Sequence, residues 1–93
     1  MSAYVYILRL ESGNLYIGST RDIDARCEDH YKGRACRTTR IDPPIELVYS
    51  EETESLTIAL KRENQLKRWS RAKKEALIAN DIEELKRLSK SRR

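Results

Sequence analysis

Apolar positions at the start of the chain follow the pattern of two short strands. Ala3 to Leu10 is rich in β-forming residues, and Leu15 to Ser19 is again strand-like. The turn-forming residues between them include Gly13, which can take a positive φ at low cost. The pattern therefore predicts a β-hairpin.

Helix, loop and strand signals follow in the middle of the chain. A helix begins after a capping residue at Thr20 or Asp22 and ends near Tyr31. Lys32 to Pro44 has no hydrophobic periodicity and closes with two prolines, which predicts a basic loop. Ile45 to Tyr49 predicts a third strand.

The last part of the chain has the spacing of three helices. The first covers Thr53 to Trp69, and Ser70 caps a second that runs through Ile78. The third, Ile82 to Leu88, opens with the capping box formed by Asp81 and Glu84. The apolar side of the longest helix consists of Leu56, Ala59, Leu60, Leu66 and Trp69.

These elements predict an α+β fold, in which a small three-stranded antiparallel sheet is flanked by helices. The 93 residues support a single domain, because so short a chain cannot build two hydrophobic cores. We assign residues 1–80 to this domain and residues 81–93 to a C-terminal helix with a basic tail.

Charge is distributed unevenly along the chain. Residues 1–60 hold seven basic and ten acidic residues, whereas residues 61–93 hold twelve basic and five acidic ones. The basic end would attract a polyanion such as nucleic acid. The alternative is a solvated helix surface, which a charge run considered alone favours.

The N-terminus lacks the basic region and apolar stretch of a secretory signal, and no segment is long enough to span a bilayer. We therefore expect a cytoplasmic protein without a membrane partner. Cys27 and Cys36 then stay reduced, and with one histidine they cannot complete a zinc site. A small core thiol and a loop thiol are the simpler interpretation.

One carboxylate lies on the apolar side of the longest predicted helix. Glu63 stands four residues after Ala59 and three before Leu66. A carboxylate removed from water must find a cation, take up a proton or bind a metal. A salt bridge to an arginine and a metal-binding role are equally open at this point.

The first predicted helix also places charged or polar side chains on its inner face. Its inner face carries Ile23, Arg26, Cys27 and His30. We therefore expect Arg26 and His30 to project inward together. The alternatives are a structural histidine and an arginine that pairs with Glu63.

Two tyrosines of the hairpin are brought together by its register. A three-residue loop, Ser12 to Asn14, would oppose Glu11 to Leu15 and so place Tyr6 and Tyr16 on one face. The alternative is that tyrosine favours strands and packs its ring there.

Two phenols, a guanidinium, an imidazole and a carboxylate together suit phosphodiester hydrolysis. A carboxylate can hold Mg²⁺ while waters and substrate oxygens complete its coordination. A guanidinium can neutralise charge on the phosphate oxygens, and a phenol or imidazole can take a proton from water.

The chain resembles the GIY-YIG nuclease family in its small stand-alone bacterial form. The two signature triplets read Tyr4-Val5-Tyr6 and Tyr16-Ile17-Gly18, so tyrosine and valine replace the glycine and isoleucine of the first triplet. The other matching positions, over roughly residues 3 to 78, are Arg26, His30, Thr38, Thr39, Pro44, the strand 47–49 and the segment 59–67.

The resemblance implies a role for each candidate residue. Tyr6 would orient or deprotonate the attacking water, with Tyr16 and His30 assisting. Glu63 would hold one divalent ion, Mg²⁺ or Mn²⁺, and Arg26 would bind the scissile phosphate.

The implied function is a metal-dependent DNA endonuclease in DNA repair, recombination or processing. Gly18 would let the backbone approach the nucleic acid closely. Binding would be mostly electrostatic, with weak sequence preference unless a protein partner supplies targeting. The basic residues assigned to DNA binding are Arg34, Arg37, Arg40, Lys67, Arg68, Arg71, Lys73 and Lys74.

Two other functions stay open. The chain could be a non-catalytic nucleic-acid-binding module that keeps the fold and the basic surface. It could also be an interaction subunit of a larger nuclease, which docks a partner through Ile82, Leu85 and Leu88 of the last helix.

Overall fold

Residues 2–90 are the part of the chain that the computed structural model describes. The strands are β1 (Ala3–Leu10), β2 (Leu15–Thr20) and β3 (Pro44–Thr53). The helices are α1 (Ile23–Tyr31), α2 (Arg37–Ile41), α3 (Leu56–Lys67), α4 (Arg71–Ile78) and α5 (Ile82–Lys90). The end of the predicted basic tail, residues 91–93, lies outside the described residues.

The three strands form one antiparallel sheet in the order β2-β1-β3. The predicted α+β fold with a small antiparallel sheet and flanking helices is therefore confirmed. A central strand covered on both faces must carry apolar or aromatic residues at nearly every position. This explains the continuous run in β1, where Ala3, Val5, Tyr6, Ile7, Leu8 and Leu10 are buried.

The turn between β1 and β2 closes one residue earlier than the sequence predicts, on residues 11–13. The predicted pairing of Glu11 with Leu15 is wrong, because Leu15 pairs with Arg9. Gly13 has a φ of 94°, and a three-residue hairpin loop takes its left-handed residue last. The observed register differs from the predicted one by two positions, so the even-numbered residues of β1 and β2 still share one face.

The two faces of the sheet carry separate hydrophobic clusters. On the α3 face, Ala3, Val5, Ile7 and Ile17 pack with Ala59 and Leu66. On the α1 face, Tyr6, Leu8 and Leu10 pack with Tyr16, Ile23 and Cys27. Strand alternation sorts the side chains in this way.

The segment predicted as a continuous loop contains the short helix α2. The backbone of Cys36 is extended just before it, and Thr39 within it is 1% exposed. A helix of five residues has no room for an apolar stripe, so periodicity could not reveal it. Tertiary contacts of the buried threonine hold α2 instead.

The third strand is longer than predicted. β3 continues to Thr53, past the predicted end at Tyr49, and the Thr53 hydroxyl donates to the Ala3 carbonyl over 3.1 Å. The following helix therefore begins at Leu56 rather than at position 53. Leu60, predicted for the apolar side of that helix, is 47% exposed.

The C-terminal helices attach to the sheet through α4. The Arg9 guanidinium on β1 donates two hydrogen bonds, of 3.1 and 2.9 Å, to the Glu75 carboxylate on α4. Asp81 caps α5 by accepting from the Glu84 amide over 3.1 Å, and α5 packs against α4. No helix within residues 2–90 is long and apolar enough to cross a membrane.

Candidate active site

Tyr6 and Tyr16 lie on the α1 face of the sheet, with their ring centroids 6.5 Å apart. Tyr6 comes from the central strand and is 2% exposed, whereas Tyr16 comes from the edge strand β2 and is half-buried. The predicted sharing of one face is therefore confirmed, although through the shifted register. This register sets Gly18 opposite Tyr6.

Gly18 lies directly beneath the ring of Tyr6. A Cβ atom at this position would stand 2.5 Å from Tyr6 Oη and 2.6 Å from Tyr6 Cζ. No larger residue fits while Tyr6 keeps its place. The missing side chain thus leaves room for the phenol, and close approach of nucleic acid to the Gly18 backbone stays a prediction.

His30 joins the phenols to α2. Its Nε2 lies 2.8 Å from Tyr6 Oη, and its Nδ1 lies 2.8 Å from Thr39 Oγ1. The imidazole is 1% exposed and packs edge-on against Tyr16 at a centroid distance of 5.0 Å. Burial, followed by the positive charge of Arg26, lowers the pKa of His30 below its ordinary 6.5. His30 is therefore a neutral imidazole that can accept a proton.

The cluster is completed by Thr39 and Cys36, for which the sequence predicted no chemical role. Thr39 Oγ1 lies 3.5 Å from both the carbonyl oxygen and the Sγ of Cys36. Burial and then the hydrogen bond with Cys36 raise the pKa of Tyr16 to about 12. Thr39 and Cys36 belong to a segment without periodicity, and the signal that pointed to Thr39 itself was its place in the family match.

Arg26 stands beside the cluster rather than inside it. The prediction that it projects inward is wrong, because the residue is exposed. Its charge nevertheless lowers the pKa of Tyr6, Tyr16 and His30, so the guanidinium lies within electrostatic range of all three. No carboxylate within the described residues forms an ion pair with it. Arg26 is therefore available to an external anion.

Glu63 reaches the edge strand β2 from the opposite side of the sheet. Its helix packs on the face away from the phenols, and its Oε1 accepts a 2.6 Å hydrogen bond from Ser19 Oγ on β2. Its charge raises the pKa of both Tyr6 and Tyr16, so the carboxylate lies within electrostatic range of both. Ser19 pairs with Val5 and shares its face, so the carboxylate acts on the phenols from the other side of the sheet.

The ion pair that the sequence left open for Glu63 is made with a lysine. Lys67 Nζ lies 2.7 Å from Glu63 Oε2, and the Lys67 side chain is 52% exposed against 15% for Glu63. The alternative of an arginine partner across the core is therefore wrong. An exposed lysine on the same helix can leave the carboxylate without disturbing the core.

The Glu63 carboxylate is a donor that fits a hydrated divalent ion. Within residues 2–90, no three His, Cys, Asp or Glu residues gather as metal ligands. The available donor is the Glu63 carboxylate, which Ser19 orients. Mg²⁺ keeps several waters and is often held by one or two carboxylates, so a single partly exposed carboxylate suits it. Lys67 would have to release Oε2 when the ion binds.

Burial also sets the protonation state of Tyr6, the more enclosed of the two phenols. Burial and then the neighbouring Tyr16 raise the pKa of Tyr6 far above its ordinary 10.0. The charge of Arg26 acts in the opposite direction. Tyr6 is therefore a protonated phenol in the free protein, and the Nε2 of His30 is the nitrogen beside it.

The cations predicted to bind nucleic acid fall into two groups. Some have partners: Arg34 with Asp29 at 3.2 Å, Lys67 with Glu63 at 2.7 Å, Arg71 with Glu75 at 2.8 Å, and Lys73 with the Trp69 ring at 4.2 Å. Arg37, Arg40, Arg68 and Lys74 make no ion pair within the described part of the chain. Arg37 and Arg40 belong to α2, which also carries Thr39.

Comparison with known proteins points to one family. A family model described as the GIY-YIG catalytic domain matches residues 2–76. UPF0213 proteins from Staphylococcus aureus strains Mu3 and MW2 are each 42% identical over 77 residues, which cover 83% of this chain and 94% of theirs. The solution NMR structure of a UPF0213 protein from Bacillus halodurans is 37% identical, with a TM-score of 0.56 over 87% of this chain and 86% of that one.

Proposed function

The chain belongs to the GIY-YIG family of nuclease-type domains, and from this premise we propose that it is a divalent-metal-dependent endonuclease that hydrolyses phosphodiester bonds in DNA. The observation that carries the proposal is the 2.8 Å hydrogen bond between Tyr6 Oη and His30 Nε2. A proton relay, a free guanidinium and a carboxylate are the groups that this hydrolysis uses.

Tyr6 and His30 would move the proton of the attacking water as a relay. Burial disfavours a free phenolate at Tyr6, and His30 Nε2, 2.8 Å from the phenol oxygen, is the nitrogen placed to accept its proton. As the water gives a proton to Tyr6 Oη, Tyr6 gives its own proton to His30 Nε2. The phenol stays neutral, His30 becomes a cation, and the proton later leaves by the reverse path through Tyr6 Oη.

Arg26 and Tyr16 would receive the phosphate. The unpaired guanidinium of Arg26 can neutralise the charge that develops on the phosphate oxygens. Tyr16 is less buried than Tyr6, and its pKa of about 12 keeps its hydroxyl a donor. We assign Tyr16 to orienting the water or the phosphate.

Glu63 would hold the divalent ion, Mg²⁺ or Mn²⁺, and the hydrogen bond from Ser19 would orient its carboxylate. The bound ion would supply Lewis-acid stabilisation of charge on the phosphate. A neutral amide in place of this carboxylate is a much weaker ligand for such an ion. Glu63 is therefore the residue whose replacement separates catalysis from binding.

DNA binding would be chiefly electrostatic. The cations without ion pairs are the first candidates for phosphate contacts, and the paired cations contribute only after they leave their partners. Such contacts carry little sequence information, so targeting would come from DNA structure or from a protein partner. We place the activity in DNA repair, recombination or processing.

The test is a cleavage panel of single-stranded, duplex and branched DNA with Mg²⁺ or Mn²⁺, run with the wild type and Glu63→Gln. We expect the wild type to cleave at least one substrate and Glu63→Gln to cleave none, while it binds DNA as tightly or slightly more tightly. Glu52→Gln removes an exposed carboxylate on β3, at the other edge of the sheet, and should cleave normally.

The non-catalytic alternative predicts a different pattern for the same panel. Under it, the wild type and Glu63→Gln would bind DNA equally and neither would cleave any substrate. That result would show that the chain keeps the fold and the basic surface without nuclease activity.

A further inference from the structure

The single histidine of the chain is enclosed with both ring nitrogens engaged. Tyr6 Oη contacts Nε2 and Thr39 Oγ1 contacts Nδ1, each at 2.8 Å. Tyr6, His30 and Thr39 are all at most 2% exposed, so little of their surface meets water in the free protein. A neutral imidazole carries one N–H, and its position decides which neighbour donates and which accepts.

The Nδ1–H tautomer gives every proton in the cluster an acceptor. Tyr6 then donates to Nε2, and Nδ1 donates to Thr39 Oγ1. The Thr39 hydroxyl donates in turn to the carbonyl of Cys36 at 3.5 Å, as threonine commonly does within a helix. No enclosed side-chain nitrogen or oxygen within residues 2–90 lacks a partner, which agrees with this arrangement.

The Nε2–H tautomer leaves one hydrogen-bond donor without an acceptor. The imidazole would then donate to Tyr6 Oη and accept from Thr39. Tyr6 makes no other side-chain hydrogen bond within the described residues, so its proton would have no acceptor in the interior. An enclosed donor without an acceptor is costly, and this tautomer is disfavoured.

We propose that Thr39 is a positioning residue: by accepting the Nδ1 proton of His30, it holds the tautomer whose free Nε2 receives the proton of Tyr6. The catalytic consequence rests on the proposed function, whereas the tautomer itself does not. In the relay, the Tyr6 O–H bond breaks as the His30 Nε2–H bond forms, and the electron pair stays on the Tyr6 oxygen to take the water proton. The hydrogen bond to Thr39 holds the ring while this occurs.

The tautomer can be measured directly, because one histidine gives one set of imidazole signals. Long-range proton–nitrogen NMR spectra of the isotope-labelled full chain at neutral pH should show Nδ1 protonated and Nε2 unprotonated. Thr39→Val keeps the shape but removes the acceptor, and we expect a shift toward the Nε2–H tautomer. Thr39→Ser should restore the wild-type spectrum. Thr38→Val, at the exposed neighbouring threonine, should leave it unchanged.

Cleavage rates link the tautomer to the chemistry. In single-turnover cleavage with Mg²⁺, we expect Thr39→Val to be slower by about 10- to 100-fold, by analogy with the loss of an orienting partner from a metal-bound imidazole. Thr39→Ser should recover most of the rate, and DNA affinity should be the same in all variants. If Thr39→Val does not fold, Thr39→Ala takes its place with the same expectations.

Three results would overturn the inference. The first is a wild type in the Nε2–H tautomer, and the second is a Thr39→Val variant whose tautomer populations equal those of the wild type. The third is a switched tautomer with an unchanged cleavage rate, which removes the positioning role. If the wild type cleaves no DNA, the proposed function and the positioning role fall together, while the spectra still show whether Thr39 fixes the tautomer.

Discussion

Gly18 and Tyr6 pair across the hairpin, and the phenol of Tyr6 fills the space that a side chain at position 18 would need. The two signature triplets are thereby linked by a steric relationship. The second triplet supplies the gap, and the first supplies the ring that fills it. The ring in turn meets His30, so the gap sets the position of the proposed relay.

Replacement of Gly18 by alanine should therefore disturb both folding and cleavage. The added methyl would meet the Tyr6 hydroxyl at 2.5 Å, and the enclosed ring cannot move aside freely. We expect a loss of about 1–3 kcal/mol in the free energy of unfolding, typical of overpacking, and a large loss of cleavage rate. Urea denaturation and single-turnover cleavage measure the two effects.

Gly13→Ala is the matched control for this substitution. Gly13 has a φ of 94° and no atom within 4 Å of its would-be Cβ, so alanine there strains the backbone without touching the site. It should cost stability and leave cleavage intact. A Gly18→Ala variant that cleaves as fast as Gly13→Ala would contradict the proposal that the space at Gly18 positions the ring of Tyr6.

Removal of the Tyr6 hydroxyl should abolish most activity. Tyr6→Phe keeps the ring but breaks the 2.8 Å hydrogen bond to His30, and with it the proton relay. Because general acid–base catalysis usually contributes about 10²- to 10⁴-fold, we expect a loss in that range. Stability should fall by about 1 kcal/mol, which denaturation would show.

Tyr49→Phe separates the lost chemistry from the lost hydrogen bond. The Tyr49 hydroxyl donates to Glu51 over 2.6 Å within β3, the edge strand opposite to β2. This variant should lose similar stability and cleave at the wild-type rate. Equal cleavage rates in the two phenylalanine variants would count against the relay.

The free energy of unfolding should decrease as the pH falls through a range set by the pKa of His30. Its pKa in the folded protein is below 6.5, so as pH falls below about 6.5 the unfolded chain binds a proton that the folded chain does not. The free energy of unfolding should decrease until the pH passes the folded pKa. The hydrogen bond from Arg9 holds the pKa of Glu75 at about 2, so that carboxylate adds its own loss only below about pH 4.5.

Urea denaturation between about pH 5 and pH 7 measures this window, and His30→Gln should flatten it. The cleavage rate should fall only below pH 6.5, as His30 becomes protonated. It should show no further rise near about pH 10, since neither phenol ionises there. A stability curve in His30→Gln as steep as that of the wild type would show that other groups cause the pH dependence.

The salt dependence of binding tests the cations of α2. Arg37 and Arg40 are exposed without ion pairs within the described residues, so each should contact phosphate at no cost in lost partners. Alanine at either position should weaken DNA binding and reduce the slope of log affinity against log salt by about 1. Lys61→Ala, on the side of α3 away from Glu63, should change neither; an equal effect there would indicate that only total charge matters.

The features set by strand geometry could be predicted from sequence. Alternation placed Tyr6 and Tyr16 on one face, and an error of two positions in the register did not alter that result. The exact turn depended on Gly13 occupying the last loop position, which propensity alone did not resolve. Local patterns therefore predicted the sheet and the shared face of the phenols.

The features that depend on tertiary contact could not be predicted in this way. α2 has no apolar stripe, so nothing in its spacing showed that Thr39 would meet His30. Helical spacing put Arg26 on the inner face, but its long side chain leaves the guanidinium at the surface. The Glu63 contact with Ser19 joins α3 to β2 on one face of the sheet, a relationship that no single element contains.

The most direct test of the nuclease proposal is cleavage in water enriched in heavy oxygen, with mass spectrometry of the new DNA ends. With Mg²⁺ or Mn²⁺, we predict that the wild type produces one heavy oxygen in the terminal phosphate for each cut, and that Tyr6→Phe and Glu63→Gln produce almost none. Cuts whose new phosphate carries no heavy oxygen, or cuts made equally well by Glu63→Gln, would contradict hydrolysis at this site.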